Sequence, residues 1–189
     1  MNKTAIILVG QIRLNSKEQK NRWKELKKDL EPHDVYIATY RSYEPTAMEV
    51  SDNVFLLEDQ TIDSRQYLGL PETKYDSDPN VKNGVDSHLW QHIFLRGVVE
   101  KYRDDLSRHQ SILRIRSDVA FDTPKSINAI NASPDLIHTW SDLCFGTKAS
   151  LFLDLFYEND FIDFIKKTWN KDEKCISINW KPCPSHAGQ

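Results

Sequence analysis

Apolar runs of strand length, separated by amphipathic stretches, predict an α/β domain with a mostly parallel central sheet flanked by helices. Three features carry this expectation. Thr4–Val9 is a strand-length, largely apolar run that stops at Gly10. A Lys-rich stretch with apolar residues at helical spacing then leads to a second run, Asp34–Thr39. Later, Ser111–Arg116 reads as a short buried strand built on Ile112, Leu113 and Ile115, and it breaks off into acidic residues. A β-α-β order of this kind implies right-handed crossovers between parallel strands.

The elements follow in order. After the first strand, Gly10-Gln11-Ile12-Arg13 is a turn. Asn15 is placed to cap a helix, with Glu18 as the reciprocal acid of a capping box. Trp23, Leu26 and Leu30 form the apolar stripe of that helix, and Pro32 ends it. Val54–Leu57 is a third strand. Residues 58–84 then form a long polar connection, read either as a lid or acceptor region or as an unstructured stretch, with one short helix at Ser64–Leu68. Asp86 is placed to cap a longer helix reaching Tyr102, which returns the chain to Ser111–Arg116. Asp122-Thr123-Pro124 reads as a turn, Leu136–Trp140 as a strand, and Ser141–Gly146 as a turn into another short strand. Helical pattern resumes over Ala149–Phe156 and Phe161–Trp169, and Ile176–Trp180 is extended. With no repeat, low-complexity tract or clear linker, residues 1–189 are taken as one domain.

Composition narrows the function classes. The chain of 189 residues is 39% hydrophobic and 11% aromatic, which fits a globular core rather than disorder. A net charge of −3, with basic and acidic residues interleaved, gives no footprint for nucleic acid. No window approaches the length of a membrane span, and Thr4–Val9 is too short for a signal-peptide core. Cys144, Cys175 and Cys183 form no CxxC pair, so a reducing, cytoplasmic setting is the simpler reading.

The chemistry-bearing residues collect at predicted strand ends: Gly10, Gln11 and Arg13 after the first strand, Thr39 at the second, Arg116 and Asp118 at Ser111–Arg116, and Asp142 before the last short strand. In open α/β sheets the ligand crevice lies beyond the carboxyl ends of the strands. Charges at the tip of a buried strand are costly unless they meet partners, a metal or an anionic ligand. Asp118 could therefore hold a divalent cation against a diphosphate, or it could close the core in an Arg–Asp pair. His88 and His92, four residues apart, lack the glutamate of a zinc-protease helix and are read as packing or ligand-contact residues. Trp90 and Trp140 are either core residues or stacking platforms, and Cys144 is read as a small core residue.

The succession ILVGQIRL, DVYIAT, HLWQHIFL, ILRIRSDVAF and SDLCFGTKASL resembles small glycosyltransferases of the glycosyltransferase-A type, closest to WavE-like enzymes of surface-polysaccharide synthesis in bacteria and some viruses. The resemblance spans roughly Thr4 to Phe156. It implies a nucleotide-binding α/β sandwich that moves a hexosyl or deoxyhexosyl group from a nucleotide-diphosphate donor to a hydroxyl of a glycan or lipid-linked acceptor. On that pattern Gly10 to Arg13 and Thr39 approach the nucleotide, and Asp118 matches the last acid of the metal-binding Asp-x-Asp motif.

Here the chain departs from the pattern, reading Arg116-Ser117-Asp118. One carboxylate would anchor manganese or magnesium, with a second ligand from Asp122, Asp142, a histidine or the donor phosphates. Alternatively, Arg116 replaces part of the ion's charge. Asp142 is the candidate base that takes the acceptor proton, against a plain role as a turn aspartate. Two further readings stay open. A sugar nucleotidyltransferase uses a similar sheet, although its signature loop is not evident after Val9, and a non-catalytic nucleotide- or carbohydrate-binding module could keep the fold.

Overall fold

Strands β1 (Thr4–Val9), β2 (Asp34–Tyr40), β3 (Val54–Leu57), β4 (Ser111–Arg116), β5 (His138–Ser141) and β6 (Cys144–Lys148) form one sheet in the order β3-β2-β1-β4-β6-β5. The computed structural model describes residues 4–59, 62–71, 79–117, 122–141, 144–158, 162, 163 and 166. β3, β2, β1 and β4 run parallel, whereas β6 is antiparallel to both β4 and β5. The sheet is therefore mixed but mostly parallel, with β6 running against the other five strands, where the sequence pattern had given no sign of an antiparallel member. The cause is local. Ser141 and Cys144 are register partners, so the chain reverses between them too tightly for a crossover, and β6 slots back between β4 and β5.

Helices cover both faces. α1 (Lys17–Leu30), α2 (Glu44–Met48) and α5 (Thr123–Ala132) lie on one side, and α4 (Pro79–Leu106) and α6 (Ala149–Leu153) on the other. α3 (Ser64–Leu68) packs against α4. Strand alternation divides the core between the two sides. Ile6, Leu8, Val35, Ile37, Leu113 and Ile115 meet Trp23, Leu26 and Leu30 of α1 and Ile127 and Ile130 of α5. Ala5, Ile7, Val9, Tyr36, Ala38 and Ile112 face Trp90, Phe94, Val98 and Val99 of α4. All six residues of β1 are buried, as expected of a central strand covered on both faces. Each fully buried Ile or Leu there contributes roughly 1.5–3 kcal/mol relative to exposure.

Several boundaries differ from expectation, each for a definite reason. The cap of α1 is Ser16 rather than Asn15. Its hydroxyl accepts from Gln19 N at 3.1 Å, while Gln19 Oε1 accepts from the backbone N–H of both Ser16 and Asn15. Gln19 thereby satisfies two orphan donors at once, and Glu18 is left to pair with Arg22 one turn on. Asp86 does not start the long helix, because α4 begins at Pro79. Its carboxylate accepts instead from the Ser64 N–H at the start of α3. Asp122-Thr123-Pro124 is not a turn but the entry to α5, with the Asp122 carboxylate accepting from Lys125 N at 3.0 Å. The short turn Arg41–Tyr43 and α2 were also unforeseen. The strand expected at Leu136–Trp140 begins at His138, and the helix from Ala149 gives way after Leu153 to a wider π-helical turn over Asp154–Glu158. The segments Phe161–Trp169 and Ile176–Trp180 lie outside the described residues, Ile162, Asp163 and Lys166 excepted. Among the described residues, no helix is long and apolar enough to cross a membrane.

Candidate functional site

Strand order reverses at β1. From β1 the chain passes through α1 to β2 on one side, and it returns through α4 to β4 on the other. At such a switch point the connections diverge and leave a crevice beyond the carboxyl ends of the two strands. A cleft of about 350 Å³ lies there. Val9, Gly10, Gln11 and Arg13 supply its floor and one side, and Arg116 comes from the tip of β4. Tyr40, Trp90 and Phe94 form an aromatic wall, with Asp86, Ser87 and Gln91 of α4 beside it. A second hollow of about 390 Å³ runs along the β3 edge, between Arg41, Glu44, Phe55 and Lys101. There Lys101 Nζ and the Tyr102 hydroxyl donate to the Val54 carbonyl, so these polar groups serve to hold the edge strand. The crevice is the better site on chemistry.

Gly10 shapes the floor. Its φ of +107° is a conformation that a side chain opposes, while its N–H donates to the Ala38 carbonyl at 2.9 Å and ties the turn to β2. Among the described residues, none beyond its chain neighbours comes within 4 Å of the position a Cβ would take, so backbone conformation rather than crowding calls for glycine here. The Ser117 hydroxyl donates to the Gln11 carbonyl at 2.7 Å and links the ends of β1 and β4. Arg13 Nε lies 3.4 Å from Gln11 Oε1.

Alternation puts Ile112, Arg114 and Arg116 on the α4 side of β4. Arg116 reaches the cleft, whereas Arg114 lies one step deeper and is only 3% exposed. Burying an ion costs several kcal/mol unless its protons find acceptors. Arg114 Nη2 donates to Gln91 Oε1, and its guanidinium lies 5.5 Å from the centre of the Phe145 ring. Beside it, burial, followed by the positive charges of Arg114 and His88, pushes His92 down to about 3. His92 is therefore neutral near pH 7. In the aromatic wall the Tyr40 ring meets Phe94 edge-on at 4.8 Å and Trp90 at 6.1 Å. Burial, then the nearby charges of Asp86 and Asp59, pushes the Tyr40 phenol up to about 12, so it acts as a neutral hydroxyl.

Of the residues singled out from sequence, Gly10, Gln11, Arg13 and Arg116 meet in this cleft. Thr39 does not. It is fully buried, with its neighbours Ile37 and Val35 turned toward α1, and its Oγ1 has no hydrogen-bond partner among the described residues. The reason is strand period. Tyr40, one residue on, takes the cleft-facing position that Thr39 was expected to fill. Asp118 and Asp142 lie outside the described residues. Trp90 is mostly buried and lies in the cleft wall, whereas Trp140 is 40% exposed and stacks on His138. Cys144 is a buried core residue, as expected. Sequence reasoning overlooked Asp86 and Gln91 as site residues. Gln91 left a signal, being a polar residue between Trp90 and the buried Ile93–Leu95 stretch on an apolar helix face.

Among the described lining residues the cleft carries two guanidinium groups, Arg13 and Arg116, and one carboxylate, Asp86. The described residues contain no group of three or more His, Cys, Asp or Glu side chains able to hold a metal. The chemistry this favours is recognition of an anion by arginine and backbone, beside an aromatic surface. No family model, curated protein or solved structure matches the chain.

Proposed function

We propose that the chain is a glycosyltransferase, moving a sugar from a nucleotide-diphosphate donor to a hydroxyl of a glycan or lipid-linked acceptor, in a cytoplasmic setting. The observation that carries this reading is the convergence of Arg13, Arg116 and the Gly10–Gln11 backbone at the switch-point cleft, opposite Tyr40 and Trp90. The motif resemblance points the same way. In this reading the diphosphate lies against the arginines, and the base or sugar lies along the aromatic wall.

Charge explains why arginines would matter to rate as well as binding. Cleaving the sugar–phosphate bond loads negative charge onto the departing diphosphate. Fixed cations there stabilise the transition state more than the ground state. Arg116 and Arg13 fill that role, with the buried Arg114 adding to the local potential. Asp142 takes the acceptor proton as general base. A manganese or magnesium ion would fall to Asp118 and the donor phosphates, where it would supply further neutralisation of the leaving group.

One observation favours a second reading, a non-catalytic nucleotide- or carbohydrate-binding module. The sole carboxylate among the described cleft residues, Asp86, is already engaged by the Ser64 N–H. The test is product analysis after incubation with a panel of nucleotide sugars and manganese, with and without acceptor. Release of nucleoside diphosphate is the expected result. Binding without release supports the module, and pyrophosphate formation from a nucleoside triphosphate and a sugar phosphate supports a sugar nucleotidyltransferase.

A further inference from the structure

Arg114 and Gln91 form a buried pair directly behind the cleft, with Arg114 3% and Gln91 7% exposed. Arginine has donors and no acceptor, so the Gln91 atom that meets Arg114 has to be the amide oxygen. The orientation of the amide is thereby settled by chemistry. Its nitrogen is turned away from Arg114, on a residue that lines the cleft. Among the described residues this nitrogen makes no hydrogen bond, and it is not one of the fully enclosed polar atoms lacking a partner.

We propose that Gln91 is an anion-recognition residue of the cleft. Its amide N–H donates to a phosphate oxygen of the ligand, and Arg114 is the positioning residue that presents it. This rests on the reading above, in which the cleft holds a diphosphate. Two physical points favour a phosphate oxygen over a sugar hydroxyl as the partner. Arg114 withdraws electron density through the amide oxygen and makes the N–H a stronger donor, which rewards a charged acceptor. Arg114 and Arg116 also share one face of β4, so two guanidinium groups stand on this side of the cleft, which suits a negative ligand group near Gln91.

The experiment is isothermal titration of the full chain and its variants with inorganic pyrophosphate and with a nucleoside diphosphate, alongside thermal melting. Gln91→Glu keeps an acceptor for Arg114 and removes the donor toward the ligand. Its melting temperature should match or exceed that of the parent, while affinity for both probes falls by about 10- to 100-fold, the loss expected for a charge-assisted bond. Gln91→Met should weaken binding by about tenfold, without the added charge repulsion. Arg114→Lys should weaken pyrophosphate binding in the parent and have no effect on binding in the Gln91→Met background, because lysine keeps the charge and no amide is left there to position. Parent-like affinity in both Gln91 variants overturns this inference and leaves the donor reading intact. Pyrophosphate binding by the parent without nucleoside diphosphate binding, with the Gln91 dependence kept, overturns the donor reading alone. If the parent binds neither probe, both fail.

Discussion

The Ser117 hydroxyl donates a 2.7 Å hydrogen bond to the main-chain carbonyl of Gln11, joining residues 106 positions apart in sequence. The two belong to the connections that leave β4 and β1, so this bond ties the ends of the two paired strands together beside the switch-point crevice. It fixes the spacing between Arg116 and the Gly10–Gln11 turn, which are the two halves of the proposed diphosphate site. Replacing Ser117 by alanine leaves the partly exposed carbonyl to water and should cost about 0.5–1.5 kcal/mol of stability. Urea unfolding checks that figure. Affinity for a nucleoside diphosphate should drop severalfold in the same variant, because the preorganised spacing is lost.

α4 crosses the sheet edge where the Phe55 ring lies directly over Gly97. A Cβ on Gly97 would clash with Cζ of that ring unless the ring shifted. Gly97→Ala should therefore destabilise the fold by about 1–3 kcal/mol, despite the better helix propensity of alanine. Trimming the ring with Phe55→Leu in the same chain should recover part of that loss. A double-mutant cycle by denaturant unfolding reads the coupling. Additive costs would mean that the contact is not what excludes the methyl group.

Acid should weaken the fold through His92. Burial, then the charges of Arg114 and His88, hold its folded value near 3, against about 6.5 in the unfolded chain. Between those values the unfolded chain binds a proton that the folded chain refuses. Stability contributed by neutral His92 is thus fully present above about pH 6.5 and is lost as pH falls toward 3. For one proton the slope cannot exceed about 1.4 kcal/mol per pH unit. His33, also lowered by burial, adds in the same direction. Unfolding free energies at pH 7 and pH 4.5 should differ less in His92→Gln than in the parent.

For the proposed transfer step, Asp142→Asn should abolish acceptor-dependent product formation and leave donor affinity within about twofold, since a general base acts on the acceptor proton. Donor titration beside a turnover assay separates the two effects. Full turnover in this variant removes Asp142 from the mechanism.

Much of this architecture could be read from periodicity, and the places where it could not share one physical cause. β1, β2 and β4 were legible because runs such as Ala5–Val9 and Ile112-Leu113 are apolar on both faces, as a central covered strand requires, and the edge strand β3 by its short apolar run Val54–Leu57. The direction of β6 was not legible. Cys144–Lys148 carries the same pattern whether it runs up or down, and direction depends on how tightly the chain turns after Ser141. α5 was missed although Asp122, Pro124, Ile127 and Ile130 spell a capped amphipathic helix, because the dipeptide Thr123-Pro124 was weighed as a turn instead of a helix start. Reading strand ends together brings Gly10, Gln11, Arg13 and Arg116 to one cleft. Thr39 lies one residue short of Tyr40, which lines it, the smallest offset that reverses a side chain on a strand. Gln91 and Asp86 belong to a helix, whose placement over the crevice is a tertiary fact that local pattern does not encode.

The most direct test of the account is calorimetric titration of a nucleoside diphosphate into the parent protein, Arg116→Gln and Thr39→Val. Thr39→Val serves as the control, since its buried hydroxyl has no partner among the described residues and the isosteric change should be neutral or mildly stabilising. The account predicts saturable binding by the parent and by Thr39→Val, and a loss of at least about tenfold in Arg116→Gln. Equal affinity in Arg116→Gln and the parent, or no binding by the parent with or without manganese, would contradict it.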